Sequence, residues 1–297
     1  MRLLHPALIN STLKYWVVKP ALPLRRVVRC YFAVDSEGHG YDSEELLLPD
    51  GWSEIVFTFA ANFDRRSIAG PEQRTVMRRS YLIGGRSHSV VTGGSDRLQL
   101  VGVKLDPQFL RHIIKTPLSE FQNTTLELGT LSLRSLVELE NQLTDDPGVH
   151  AAVATLDNYF IEHLRNYDKR DAIVDRTLQR IQQCRGAGRV RAWARELDVP
   201  QRTLERRFVQ SVGMSPKSYA RIVRFNDAYH RLLSRKARAS SRRDQFWLDG
   251  YYDQAHFNND FRFFTGTTPT DLLSARSASS TAVNDHLLRQ GVWDLAR

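Results

Sequence analysis

The chain has 297 residues, 41% of them hydrophobic and 25% charged, with 11 prolines, a composition that excludes a fibrous or low-complexity protein. The length suits two domains with separate cores, each of about 100 to 200 residues. No uninterrupted apolar run reaches signal-peptide or membrane-span length, so a cytoplasmic location without a membrane partner is expected. Cys30 and Cys184 stand far apart, with no Cys or His beside them at metal spacing, and indicate neither a disulfide framework nor a zinc site.

The net charge of +9 is one-sided. Residues 1–170 hold 20 basic and 20 acidic side chains, whereas residues 171–297 hold 22 and 13. A localised basic excess is the footprint of a module that displaces counterions from nucleic acid. A solubilising surface would give the same count.

From position 27 to about 105 the texture is that of strands. Short β-branched and aromatic runs at 27–32, 54–59 and 98–103 are separated by Pro49-Asp50-Gly51, Gly84-Gly85 and Gly93-Gly94, which predicts a small antiparallel barrel or sandwich. After Asp106-Pro107 the period turns helical, with Phe109, Ile113 and Ile114 on one face, then Leu133, Leu136, Val137 and Leu143, then Leu156, Phe160, Ile161 and Leu164. These stripes fit burial against the barrel or against a second copy of the chain. Asp168-Lys169-Arg170-Asp171 is the expected hinge.

An internal repeat follows. Leu204-x3-Phe208-x4-Gly213-x-Ser215-Pro216 recurs 53 positions later as Phe257-x3-Phe261-x4-Gly266-x-Thr268-Pro269. Two apolar residues four apart pin one helix face to a core, and the glycine supplies a left-handed stop. The hydroxyl residue then caps the next helix, with proline in its first turn. A short helix precedes each copy, at 190–197 with the turn Asp198-Val199-Pro200, and at 243–249 with the turn Gly250-Tyr251-Tyr252-Asp253. Each copy therefore reads as a helix-turn-helix unit.

With the apolar positions inward, the first unit turns out Arg202, Glu205 and Arg206, and the second turns out Gln254, Ala255, Asn258 and Asn259. Arg reads guanine and Asn or Gln reads adenine bidentately in the major groove. An all-helical interaction domain with a solvated polar face is the alternative. Residues 216–234 read as one helix of 19 residues, a rod of roughly 28 Å that would hold two readers about one DNA turn apart. The basic tail Arg231, Arg235, Lys236 and Arg242 is placed either to meet phosphates or to be a solvated loop.

At this point the sequence resembles the DNA-binding domain of AraC/XylS-type transcription regulators over residues 171–276. The resemblance rests on Arg202-x-Leu204-x-Arg206-x-Phe208, on Gly213-x-Ser215-Pro216-x-x-Tyr219-x4-Arg224, and on Gly250-Tyr251-x-Asp253-Gln254-x-His256-Phe257-x3-Phe261-x4-Gly266-x-x-Pro269. It implies DNA contacts from Arg202, Glu205, Arg206, Gln254, Ala255, His256 and Asn258, with double-stranded DNA and RNA polymerase as partners. Three positions depart from the pattern. Asp198 stands where glycine is usual in the first turn, Phe246 where a small alanine is usual, and Asn259 where arginine is usual.

Residues 1–105 are similar, more faintly, to the cupin-like effector domains of such regulators, which implies a small-molecule effector, a homodimer, or both. The expected organisation is thus α+β. It comprises a β-rich barrel or sandwich at 1–105, a helical connector at 106–170, an all-helical double helix-turn-helix domain joined by a long helix at 171–276, and a tail at 277–297. The rival reading is a DNA-associated enzyme with a catalytic barrel. The strand region holds only His39 and His88, without an HxH pair, and no phosphate loop or nucleophile elbow is present. No catalytic residue, metal ligand or cofactor is therefore assigned.

Overall fold

The computed structural model describes residues 7–10, 13–36, 43–60, 63–68, 74–77, 80–94, 97–131, 133–143, 148–167, 170–236 and 250–271. Its strands are β1 (Ala7–Asn10), β2 (Leu13–Val18), β3 (Val28–Asp35), β4 (Ser43–Leu47), β5 (Ser53–Ala60), β6 (Phe63–Ser67), β7 (Arg74–Met77), β8 (Tyr81–Ile83), β9 (Val90–Gly94), β10 (Gln99–Leu105) and β11 (Thr125–Glu127). Its α-helices are α1 (Pro107–Ile114), α2 (Arg134–Leu143), α3 (Gly148–Arg165), α4 (Ala172–Gln183), α5 (Val190–Glu196), α6 (Gln201–Val212), α7 (Pro216–Lys236) and α8 (Gln254–Thr265). The fold is α+β, with the strands in the N-terminal half and helices throughout the C-terminal half.

The strands form two antiparallel sheets, in the orders β1-β2-β3-β10-β5-β8-β11 and β4-β9-β6-β7. Three details differ from the sequence expectation. The first 26 positions already supply β1 and β2, and β11 joins the larger sheet from beyond position 105, in a stretch expected to be helical. Gly93-Gly94 is not a break, because β9 is a central strand and both glycines pair on either side, with Glu44 and Ser43 of β4 and with Asp64 and Phe63 of β6.

The larger sheet is buried on both faces, since side chains alternate across a strand. Val101 lies in register between Ala33 and Phe57, and this row packs with Phe109, Leu136, Leu156 and Phe160 of α1, α2 and α3. The helical stripes therefore bury against their own sheet. Tyr31 fastens the layer by donating its hydroxyl to Asp157 on α3 at 2.8 Å.

The opposite face has Gly102 in register between Phe32 and Val56 and, two positions on, Lys104 between Cys30 and Glu54. A Cβ on Gly102 would stand 2.1 Å from the Phe32 ring, so only glycine allows that ring to lie across the strand. Lys104 is buried, and its ammonium donates to Glu54 at 2.8 Å and to Asp50, while Arg86 donates to the same Glu54 oxygen at 3.0 Å. Burial alone would raise the Glu54 carboxyl, but Lys104, Arg86 and Arg65 outweigh it and hold the group down at about 2.

A carboxylate held below its unfolded value contributes stability above that value and loses it as pH falls through the folded one. Glu54→Gln is expected to cost about 3 kcal/mol at neutral pH, because it leaves two buried cations short of a partner. The same variant should flatten the loss of stability between pH about 4.5 and about 2. Denaturant titrations across that window check both outcomes.

Candidate nucleic-acid interface

The first helix-turn-helix unit is α5, a turn and α6. Asp198 occupies the turn with φ of 52°, the left-handed region that Asp tolerates better than most residues. Leu204, Phe208 and Val212 of α6 are fully buried with Trp193 and Ala194 of α5 and Val174 and Ile181 of α4. Gly213 ends α6 at φ of 83°, donating its N–H to Val209 at 2.9 Å, and the Ser215 hydroxyl accepts the Ser218 N–H at 3.1 Å as α7 begins.

The outward face of α6 carries Arg202 and Arg206, both exposed, one turn apart. Glu205 between them is half-buried and accepts from Gln201 at 2.8 Å. The neighbouring Arg207 turns the other way, onto Asp171 at 2.7 Å. Asp171 in turn caps α4 through the N–H groups of Ile173 and Val174. The stretch expected to be a hinge is thus tied at Arg170 and Asp171, because Arg170 also reaches Asp106 at 3.2 Å; positions 168 and 169 lie outside the described residues.

In the second unit the glycine stop and the hydroxyl cap recur. Its first helix, expected at 243–249 with Phe246, lies outside the described residues. Asp253 caps α8 by accepting the His256 N–H at 2.7 Å. Gly266 stops the helix at φ of 74°, and Thr268 accepts the Asp271 N–H at 3.1 Å. Phe257, Phe261 and Phe264 are buried, with Phe264 stacked on Phe225 of α7 at 4.5 Å between ring centres. Gln254, Ala255 and Asn259 are exposed, and Asn258 and His256 are half-buried, the latter with its ring against Tyr251 at 5.1 Å.

Between the units α7 runs unbroken for 21 residues, about 31 Å. It grips α8 through charge as well as rings. Asp260 is 5% exposed and accepts from Arg221 at 2.7 Å and from Arg224 at 3.1 Å. Of the expected phosphate contacts, Arg231 is half-buried and paired with Asp227, the side chains of Arg235 and Lys236 fall outside what the structure describes, and so does Arg242.

The family model for a helix-turn-helix domain matches residues 193–275, and that for a domain of unknown function matches residues 17–127. Residues 193–275 thus form a helix-turn-helix domain. No curated protein matches it.

Among solved structures, ToxT from Vibrio cholerae is similar at 10% identity over 79% of this chain and 98% of that one, with a TM-score of 0.41. A ToxT structure with bound unsaturated fatty acid is similar at 12% identity over 89% and 95%, also at 0.41. Hydroxypropylphosphonic acid epoxidase from S. wedmorenis aligns over 35% and 54% at 10% identity and 0.26.

Two features of the helix-turn-helix domain escaped the sequence reading. Tyr252 is 94% exposed just before α8, whereas the adjacent Tyr251 is held inward under Arg224 at 4.8 Å. Two tyrosines in a row give no sequence signal of which one faces out. Arg191 and Arg195 of α5 are exposed, a placement that the helical period of that short segment could have given.

The domain also leans on the β-rich half at the C-terminal ends of α6 and α8. Arg111 of α1 donates to Ser211 of α6 at 3.1 Å, Ser89 donates to the Phe264 carbonyl of α8, and Asn226 of α7 donates to the Pro49 carbonyl at 2.9 Å. Asp260→Ala should leave Arg221 and Arg224 without their shared carboxylate and cost about 3 kcal/mol. A lowered denaturation midpoint in the full chain, with α7 and α8 amides exchanging faster, is the expected result.

Proposed function

We propose that this chain is a sequence-specific transcription regulator that places α6 and α8 in successive major grooves on one face of a duplex. The observation that carries this reading is the duplicated reader. Two helices with the same glycine stop, 53 positions apart, pack on one helix of about 31 Å, α6 near its start at Tyr219 and α8 along its middle from Arg221 to Tyr229. Arg202 and Arg206 supply guanine readout in the first groove, and Gln254, Asn258 and Asn259 supply adenine readout in the second. Glu205, held by Gln201, shapes the first reader, and Ala255 and His256 present a small face and a half-buried ring at the head of the second.

Phosphate contacts that set register without reading sequence come from exposed Arg191 and Arg195, from Tyr252, and from Arg231, Arg235, Lys236 and Arg242 along the end of α7 and beyond. The β-rich half adjusts the readers through its contacts at Ser211 and Phe264, in response to a small-molecule effector or to pairing with a second copy. RNA polymerase is the partner in regulation.

Duplexes selected from a random library with the full chain give the binding site, and fluorescence anisotropy then measures affinity for that site and for single-base variants. Arg206→Ala is expected to cost about 1 to 3 kcal/mol at the selected site and to relax preference at one base position. Arg191→Ala should weaken all sequences alike and reduce the salt slope by about 1. An Arg206→Ala variant that loses affinity equally for every sequence would show that α6 does not read bases.

A further inference from the structure

Arg224 stands near the middle of α7, with 16% of its side chain exposed, and it touches both helix-turn-helix units at once. On the side of the second unit, its guanidinium donates to Asp260 of α8 at 3.1 Å and lies over the Tyr251 ring, 4.8 Å from the ring centre. Its stem packs against Gly250, where a Cβ would meet Cγ and Cδ of Arg224 at 3.4 Å. On the side of the first unit, the loop between α4 and α5 lies directly on the backbone of α7. A Cβ on Gly186 would stand 2.2 Å from the Ala220 carbonyl oxygen, 2.6 Å from the Arg224 nitrogen and 2.8 Å from the Arg224 Cβ.

The two units also meet each other at this point. The same Cβ on Gly250 would lie 3.7 Å from the Cβ of Ala187. Gly250 belongs to the turn before α8 and Ala187 to the loop before α5, so the contact joins the approaches to both units. Arg221, three residues back on α7, gives a contrast. It pairs with the same Asp260 at 2.7 Å and lies over the Phe263 and Phe264 rings at 3.9 and 5.2 Å, partners that all belong to α8.

We propose that Arg224 is a positioning residue that sets the separation and relative angle of α6 and α8. A guanidinium is planar, so it can stack on a ring by its face while its edge donates to a carboxylate; an ammonium keeps the charge and loses the plane. One side chain thereby fixes Tyr251 and Asp260 in two directions, at the residue of α7 on which the loop of the first unit also rests. Inserting one base pair between two contacted stretches of a duplex moves the second by about 3.4 Å and turns it by about 35°. Readers held at a fixed separation lose contacts when this happens. That consequence for DNA rests on the two-groove reading, whereas the positioning of α6 and α8 does not.

Double electron–electron resonance on the full chain tests the positioning. Spin labels go on Gln210→Cys and Arg262→Cys, at exposed positions of α6 and α8, in a Cys184→Ser background; Cys30 is buried and out of reach of the label. A narrow distance distribution is expected, at least twice as broad in Arg224→Lys and unchanged in Arg221→Lys. Both variants keep an ammonium able to pair with Asp260, so a loss of stability alone predicts the same result for both. In the binding assay, one base pair inserted at the centre of the selected site should cost about tenfold in affinity for the unaltered chain and for Arg221→Lys, and at most about threefold for Arg224→Lys. Equal widths in the unaltered chain and Arg224→Lys overturn the proposal, as does equal broadening in the two lysine variants. If Arg224→Lys alone broadens while the unaltered chain shows no insertion penalty, the positioning role stands and the two-groove reading fails.

Discussion

The arrangement of the whole chain depends on one buried ammonium. Lys104 sits on the inner face of the larger sheet, 5% exposed, and its charge is sustained only because Glu54 in the next strand and Asp50 in the preceding turn both reach it. Burial by itself would depress a lysine, yet the two carboxylates hold this one above its ordinary value. Arg86 shares Glu54, so the cluster joins β10, β5, the turn at Pro49-Asp50-Gly51 and the segment that follows β8. Such a cluster adds little net stability over an apolar core, but its directional bonds leave few alternative positions for the loops that carry it.

Those loops are the ones that meet the helical half. Gly51, next to Asp50, has φ of 79°, and a Cβ there would stand 2.5 Å from the Tyr219 ring of α7. Pro49 accepts from Asn226, about two turns further along the same helix. The segment carrying Arg86 continues to Ser89, which donates to the end of α8, and Gly85 before it lies close to Met214, just past the end of α6. One ionic cluster in the β-rich half thus underlies contacts to α6, α7 and α8. The ends of α6 and α8 that bear Arg202 and Gln254 stay exposed, while their far ends are fixed by the same scaffold.

The repeat of helix, glycine stop and hydroxyl cap was legible because each part is a local rule. Gly213 and Gly266 need a left-handed backbone, and Ser215 and Thr268 need only the N–H three residues on. Asp198 was legible as a strained turn for the same reason. The ionic cluster was not, because Lys104, Glu54, Asp50 and Arg86 are brought together by strand register and by two loops, neither of which has a sequence period. Arg206 and Arg207 make the point in miniature. Both are arginines on one helix, and only the position of Asp171, 36 residues away, decides that Arg207 is a structural anchor and Arg206 faces out.

The interface between the halves also limits how an effector can act. Residues of the β-rich half such as Tyr15, Phe32 and Leu46 belong to the same apolar cluster as Phe208, Tyr219 and Phe264 of the helical half. Full separation would expose that cluster at about 25 cal/mol for each Å2, and a ligand can shift an equilibrium only by its difference in affinity between the two states. A ligand, if one binds, could therefore act only by biasing small displacements of docked halves. Displacements at Ser89 and Arg111 move the far ends of α8 and α6 directly. Because each helix is 12 residues long and capped at its far end by a glycine stop, a tilt at its fixed end would be carried as a displacement of Arg202 on α6 and Gln254 on α8 at the other, and a shift of about 1 Å is enough to break a hydrogen bond.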